Sequence, residues 1–170
     1  MGLLSSIKLN TMDDLFQHEL RDLYDAEHQL LDALPKMADA AHSPELRSAF
    51  QQHLEQTRGH VGRLEQCFAA LGAEPKRESC PAMKGLVKEG SEAVDASGSD
   101  EVRDAALIAA SNRVEHYEIA GYGTLRSLAQ EIGREDLASI LQHTLDEEKG
   151  ADQTLTELAE SRINPRAARH

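Results

Sequence analysis

Four long segments of the chain repeat apolar residues at three- and four-residue spacing, with polar residues between them. This spacing places the apolar side chains on one face of an α-helix, from which they can enter a core. The pattern predicts long helices over residues 12–41, 44–71, 101–131 and 135–162. Leu and Ala dominate the apolar set, which favours helices packed on helices.

Capping and breaking residues mark the predicted helix ends. Thr11 precedes two acidic residues, and Ser43 precedes Pro44; both patterns are signals for a helix start. Pro35 predicts a kink or an early end of the first helix, because proline lacks the backbone N–H that a helix interior uses. Gly133 predicts the turn between the last two long helices.

Residues 73–100 separate the second and third long helices and contain Pro75 and Pro81. Residues 82–96 are predicted to form a short helix. A segment of about 28 residues is too long for a tight turn, but it suits a crossover that runs along a bundle. We therefore predict an all-α, ferritin-like four-helix bundle of two helix hairpins, with a long crossover that contains a short fifth helix. The bundle is expected at 11–162, a flexible leader at 1–10 and a frayed tail at 163–170.

Acidic residues outnumber basic ones by 30 to 18, which gives the 170-residue chain a formal charge of −12. This balance argues against a nucleic-acid partner and against an anionic membrane surface, since both need basic residues. No apolar run approaches the ~20 residues that span a bilayer, and the N-terminus lacks a signal-peptide pattern, so we expect a cytoplasmic protein. Cys67 and Cys80 form neither a CxxC pair nor a zinc pattern.

Three acidic residues interrupt the apolar stripes of the predicted helices. Ideal periodicity places Glu27 within about 40° of the stripe centre of its helix, and Glu118 and Glu148 within about 20° of theirs. Each lies about 14 residues from the turn of its hairpin, so antiparallel packing would bring all three to one depth. An isolated buried carboxylate is costly, and it must be protonated, paired or bound to a cation.

Other residues at this depth are weaker candidates for the same site. Glu115 lies one helical turn from Glu118 on the same side of the helix, and Asp152 is level with it, but both are nearer to the stripe edges. A carboxylate-rich site with one or two imidazoles suits iron or manganese. The imidazoles that could contribute are His53, His60 and His116.

An ordinary interpretation of these acids competes with the metal site. They could be solvated, or they could form salt bridges with Arg58, Arg63 or Arg126. For one glutamate in one helix this interpretation is favoured, because charged residues are rarely buried. Three near-central acids at one depth favour the metal site instead, because burying all of them without a cation would be too costly.

Five segments carry a resemblance to a known family: LYDAE at 23–27, HLEQT at 53–57, VRDAALIAA at 102–110, VEHYEIA at 114–120 and LDEEK at 145–149. Together they resemble the YciE/YciF stress-protein family over about residues 12–160, and residues 115–120 are the most specific part. The resemblance implies a ferritin-like fold, dimers of four-helix bundles and a part in bacterial stress responses. Through related rubrerythrin-type bundles, it also implies a di-metal site.

The resemblance implies a carboxylate set that consists of Glu27, Glu55, Glu115, Glu118 and Glu148. Glu55 enters the set only in this way, because ideal periodicity points it about 140° away from the apolar position of Phe50. The chain also departs from the family pattern. Gln56 stands where many relatives have a second Glu, and Arg58 takes the place of a His ligand.

Two functions stay open at this point. The first is a protein that binds two metal ions, iron or manganese, and handles oxygen, peroxide or iron under stress, with non-haem di-iron oxidase or peroxidase-like activity. The second is a non-catalytic, dimeric stress or scaffold protein with a vestigial metal site. A homodimer, with no nucleic acid or membrane as a partner, is expected in both cases.

Overall fold

The structure, a computed structural model, describes residues 7–169, and these residues contain helices but no β-strand. The prediction of an all-α fold is confirmed. The helices are α1 (Met12–Ala40), α2 (Pro44–Ala70), α3 (Pro81–Val94), α4 (Asp100–Glu131), α5 (Glu135–Leu158) and α6 (Asn164–Ala167), with a π-helical turn at Ala159–Ile163 before α6. Residues 1–6, which belong to the predicted leader, and residue 170 of the predicted tail lie outside the described residues.

Local sequence explains where the long helices begin and end. The Thr11 side chain accepts from the backbone N–H of Asp14, and the Asp14 side chain accepts from the backbone N–H of Thr11, which forms a capping box at the start of α1. Gly133 has a φ of 74°, a left-handed conformation that glycine adopts without a steric penalty, and it separates α4 from α5. Pro35 does not end α1, which continues to Ala40.

Four long helices pack in a closed order, in which α1 contacts α2, α2 contacts α5, α5 contacts α4 and α4 contacts α1. The helix in the crossover, α3, packs against α1 and α4. A close approach brings α1 to α4 at Gly121, where a Cβ atom would lie 2.8 Å from Leu23 Cδ2. The absence of a side chain at Gly121 therefore allows these two helices to meet near the middle of their lengths.

The apolar core is divided into two clusters. One cluster lies towards the α4–α5 turn and includes Phe16, Leu64 and Leu141. The other lies towards the α1–α2 loop and includes Leu34, Phe50 and Leu107. Between them is a layer of buried polar side chains, which is the part of the core that aliphatic packing does not account for.

Two buried aspartates attach loops to this bundle. Asp25 of α1 accepts from the backbone N–H of Cys80 at 2.9 Å and pairs with Arg77 at 2.8 Å, which holds the crossover against α1. Asp104 of α4 accepts from the backbone N–H groups of His42 and Ser43 at 2.8 and 2.7 Å, which holds the start of α2.

The helical path continues beyond Arg162, where the sequence pattern placed the end of the bundle. The π-helical turn leads into α6, and Ile163 is buried in the apolar cluster near the α1–α2 loop. Arg162 also pairs with Glu45 at 2.7 Å. In the described part of the chain, no helix is long and apolar enough to cross a membrane.

Candidate metal centre

Four glutamates and two histidines meet in the polar layer between the two apolar clusters. The glutamates come from α1, α4 and α5, and the histidines come from α2, so each of the four long helices contributes. All of them are buried, and five are 0% exposed. The six residues are Glu27, His53, His60, Glu115, Glu118 and Glu148.

Glu27, His60 and Glu148 form the first of two overlapping groups, and their ligand atoms lie within 4.8 Å of one another. His60 Nδ1 is 2.9 Å from Glu148 Oε1 and 3.2 Å from Glu27 Oε1. Neither contact has the geometry of a hydrogen bond, and Nδ1 has no other hydrogen-bond partner in the described chain. Electron-pair donors that face one another in this way would be satisfied by a shared cation.

The second group consists of His53, Glu115, Glu118 and Glu148, again with ligand atoms within 4.8 Å of one another. His53 Nε2 is 3.3 Å from Glu115 Oε1 and 3.8 Å from Glu148 Oε2. Both oxygens of Glu118 lack a hydrogen-bond partner among the described residues. Because one Glu148 oxygen faces His60 and the other faces His53, this carboxylate could serve two cation positions at once.

Burial and mutual repulsion both disfavour the charged forms of these acids. Burial raises the pKa of Glu118 well above its usual value, and the neighbouring charges of Glu148, Glu27 and Glu115 raise it further. The pKa of Glu115 is also well raised, by burial first. Burial lowers the pKa of His60, but Glu27 and Glu148 outweigh this effect and raise it to about 10. A bound cation would offset the repulsion among these carboxylates and favour their charged forms.

Glu147 orients His60 from outside the two groups. Its Oε2 atom lies 3.0 Å from His60 Nε2 and accepts from Arg63 at 2.8 Å. Arg63 also donates to Thr144 Oγ1 at 2.9 Å, which fixes the arginine between α2 and α5. A proton on Nε2 would therefore be donated to Glu147, and once His60 gives up its second proton, the lone pair on Nδ1 would face Glu27 and Glu148, where it could bind a cation.

Tyr122 borders the centre on the side of the first group. Its phenol is 0% exposed and donates to Glu27 Oε1. Burial and the charge of Glu27 raise the pKa of the phenol far above its usual value, so it acts as a donor and not as an anion. This bond satisfies one Glu27 oxygen, while the other, Oε2, lacks a hydrogen-bond partner in the described residues.

Three of the predicted candidates lie apart from the centre. Glu55 is exposed and pairs with Arg58 on the outer face of α2, which is the direction that ideal helical periodicity gives it. The structure does not bring Glu55 to the other glutamates, although the family resemblance placed it among them. His116 is also exposed, and it pairs with Asp152 at 3.2 Å between α4 and α5.

Some participants carried little or no signal in the sequence. His53 and His60 are seven residues apart and therefore share one face of α2, a spacing that could have moved them above Glu55 as candidates. Tyr122 reads as an ordinary packing residue at a stripe edge. Glu147 is adjacent to Glu148 in sequence but faces differently, and no pattern in the chain distinguishes its role.

The comparisons with known proteins agree with this architecture. Residues 11–168 match the family described as "Domain of unknown function (DUF892)". Protein YciF of Escherichia coli strain K12 is 45% identical over 162 residues, which cover 95% of this chain and 98% of YciF. The chain belongs to the DUF892 family. The resemblance to the YciE/YciF stress-protein family that the sequence segments indicated is therefore confirmed.

Solved structures of relatives extend the agreement to the fold. The crystal structure of the Escherichia coli stress protein YciF matches with a TM-score of 0.88 at 46% identity, over 91% of this chain and 98% of YciF. YcfI of Rhodopseudomonas palustris, described as a proposed structural protein, matches with a TM-score of 0.85 at 42% identity, over 91% of this chain and 98% of YcfI. This member of the YciF group thus shares its helical architecture with solved relatives.

Proposed function

We propose that the chain is a ferritin-like four-helix-bundle protein of the bacterial stress response that binds two metal ions. Iron is the first candidate for these ions, and manganese is the second. The observation that carries the proposal is the convergence of four buried glutamates and two histidines, each of which has at least one side-chain atom without a hydrogen-bond partner among the described residues. The donor set, oxygen-rich with two imidazoles, suits iron or manganese. The relationship to the YciF stress protein supports the biological setting.

Each residue has a role that follows from its position. Glu27 and His60 would hold one ion, His53, Glu115 and Glu118 the other, and Glu148 would bridge the two. Bound iron or manganese would supply an open coordination position and redox chemistry towards oxygen or peroxide. Glu147 holds the tautomer of His60, and Tyr122 holds one oxygen of Glu27 in place. The apolar clusters above and below keep bulk water from the centre.

Metal analysis of the full-length chain tests this proposal. Protein made in iron- and manganese-supplemented medium should contain close to two transition-metal ions per chain, measured by mass spectrometry of the elements. Glu118→Gln and Glu148→Gln should lose most of this metal, because each replaces a charged oxygen ligand by a neutral amide. Glu55→Gln is the matched control, since Glu55 is exposed and lies outside the centre.

Two results would contradict the proposal. One is a wild-type protein that holds no transition metal after growth in supplemented medium and after reconstitution with Fe²⁺ or Mn²⁺. The other is a Glu55→Gln variant that loses as much metal as Glu118→Gln, since metal would then be held at the surface. If metal is bound, absorption changes on addition of oxygen or peroxide would identify the oxidant.

The similarity to YcfI favours a second candidate function, a non-catalytic dimeric scaffold with a vestigial centre. In that case the buried acids would be protonated or paired through His53 and His60. Replacing Glu118 or Glu148 would then leave the protein's stress function intact, and iron and peroxide would produce no absorption change. The homodimer expected in both cases is measurable by sedimentation equilibrium.

A further inference from the structure

A cavity of about 300 Å³ lies between α2 and α5, directly outside the second group of the candidate centre. Its lining on the α2 side includes Phe50, His53 and Gln56, and on the α5 side it includes Glu147 and Gly150. A volume of this size holds several water molecules, since one water needs about 10–15 Å³ measured in the same way. The cavity is therefore large enough for a small hydrated species.

His53 connects this cavity to the buried carboxylates. It lines the cavity and also belongs to the second group, where its Nε2 atom faces Glu115 and Glu148. It is 5% exposed, and Nε2 has no hydrogen-bond partner in the described residues. Ser111 also lines the cavity, and it donates to Glu115 at 3.4 Å. Two residues of the cavity wall are thus in direct contact with the candidate ligands.

The charge of the lining selects the species that would enter. Asp146 and Glu147 are acidic, and among residues 7–169 no lysine or arginine lines the cavity. The carboxylates behind His53 add further negative potential, which attracts cations and repels anions. Gln52, Gln56 and Thr154 offer neutral oxygens that can replace water around a divalent cation during passage. A second cavity, between α1, α3 and α4, includes none of the six candidate ligands.

We propose that the α2–α5 cavity is the entry route for divalent cations, and that His53 is the first ligand that an incoming ion meets. This inference rests on the proposed function, because the route leads to the proposed centre. The ion would exchange water for His53 Nε2 and then for Glu115 and Glu148, which lie 3.3 and 3.8 Å from that atom. A cation route would explain why an acidic cavity lies beside the candidate ligands, which helix packing alone does not explain.

Gly150 provides the means to obstruct the route. It lies in α5 on the cavity wall, and a Cβ atom there would have no atom of the described chain within 4 Å. Gly150→Trp should therefore fit the helix and place a large ring over the cavity. Gly85→Trp is the matched control, because Gly85 is also an exposed helical glycine with open space around it, but it lies in α3 outside this cavity.

The experiment follows the loading of Co²⁺ into the metal-free, full-length chain by visible absorption after rapid mixing. Gly150→Trp should slow both loading and chelator-driven release by about tenfold, the change that an added barrier of about 1.4 kcal/mol produces. The final occupancy and Kd should stay at wild-type values, because an obstruction slows both directions equally. Gly85→Trp should load at the wild-type rate.

The outcomes separate this proposal from the one on which it rests. A wild-type chain that binds no Co²⁺ would overturn the metal centre and the route together. Wild-type binding combined with unchanged rates in Gly150→Trp would overturn the route alone. If Gly150→Trp does not fold, Ala49→Leu, which extends a side chain from the opposite wall on α2, decides the matter by the same measurement.

Discussion

Two kinds of buried carboxylate occur in this protein, and their surroundings differ. Asp25 and Asp104 lie where loops attach to the bundle, and backbone N–H groups or an arginine bind their oxygens. In the polar layer between the apolar clusters, Glu118 and Glu148 are buried at least as deeply, but their oxygens lack hydrogen-bond partners in the described chain. The first kind is satisfied by the fold, and the second kind is not.

The pKa values express this difference. Burial alone would raise the pKa of Asp25, but hydrogen bonds from Cys80, Gln29 and Arg77 lower it below the usual value. The pKa of Glu118 is raised by burial and by three neighbouring carboxylates, and no hydrogen-bond donor within residues 7–169 offsets these effects. Burial therefore does not by itself identify a functional acid. The unpaired oxygens do, because the native fold rarely leaves buried polar atoms unsatisfied without a purpose.

The largest change in stability is expected from removing a satisfied carboxylate, that of Asp104. Asp104→Ala removes the acceptor of two backbone N–H groups at the start of α2, the part-buried one of His42 and the buried one of Ser43. It should lower the free energy of unfolding by about 3 kcal/mol. Urea denaturation monitored by circular dichroism measures the change. Metal content should stay at the wild-type value, since Asp104 lies outside the polar layer. A loss below about 0.5 kcal/mol would show that solvent replaces these bonds.

Replacing an unsatisfied acid should have the opposite sign. Glu118→Leu removes a buried group whose oxygens have no hydrogen-bond partner among the described residues. It should raise the free energy of unfolding of the metal-free protein by about 2 kcal/mol. The same variant should lose bound metal, so the wild type should regain the advantage when metal is present. Destabilisation of the metal-free protein would mean that Glu118 has a structural partner after all.

The same distinction explains how far the sequence could predict this site. Glu27, Glu118 and Glu148 were identifiable because an acid on an apolar helical stripe is a local and periodic signal. For His60 the sequence shows only that it shares a face of α2 with His53. Its contacts with Glu27 on α1 and Glu148 on α5 arise from the packing of the helices, which no local pattern predicts. Glu55 shows the reverse case, since its helical angle pointed outwards and the structure places it there.

The fold was more predictable than the site for a physical reason. Helix ends at Thr11, Ser43 and Gly133 depend on neighbours within a few residues, and the sequence contains these signals. The π-helical turn at Ala159–Ile163 has no such signal. Its position follows from contacts with the rest of the bundle, including burial of Ile163 in the core.

The two kinds of buried carboxylate should affect the pH dependence of stability in opposite directions. Glu115 and Glu118 have raised pKa values in the folded state, so the stability that they contribute is present below about pH 4.5, their usual pKa, and is lost as pH rises. The pKa of His60 is raised to about 10, so the stability that His60 contributes is present below about pH 6.5 and is also lost as pH rises from there. Asp25, with a lowered pKa, loses its contribution only as pH falls below about 4.

The metal-free protein should therefore be more stable at pH 5 than at pH 8 in urea denaturation. Glu118→Leu should reduce this difference, because it removes one of the groups that retain a proton in the folded state. Saturating metal should also reduce it, since the ion replaces the protons. Equal stability of the wild type at the two pH values would mean that the acids titrate normally despite their burial.

The smallest expected effect is local and concerns the two buried thiols. Cys67 lies in an apolar cluster, where burial raises its pKa to about 12, while Cys80 is held to α1 through its backbone N–H and Asp25. Asp25→Asn should lower the free energy of unfolding by only about 1 kcal/mol, but it should loosen the crossover. Labelling of Cys80 by a thiol reagent should then accelerate by about tenfold, with Cys67 unchanged. Equal acceleration at both thiols would mean that Asp25 stabilises the whole bundle, and that a satisfied acid contributes globally and not only where its loop attaches.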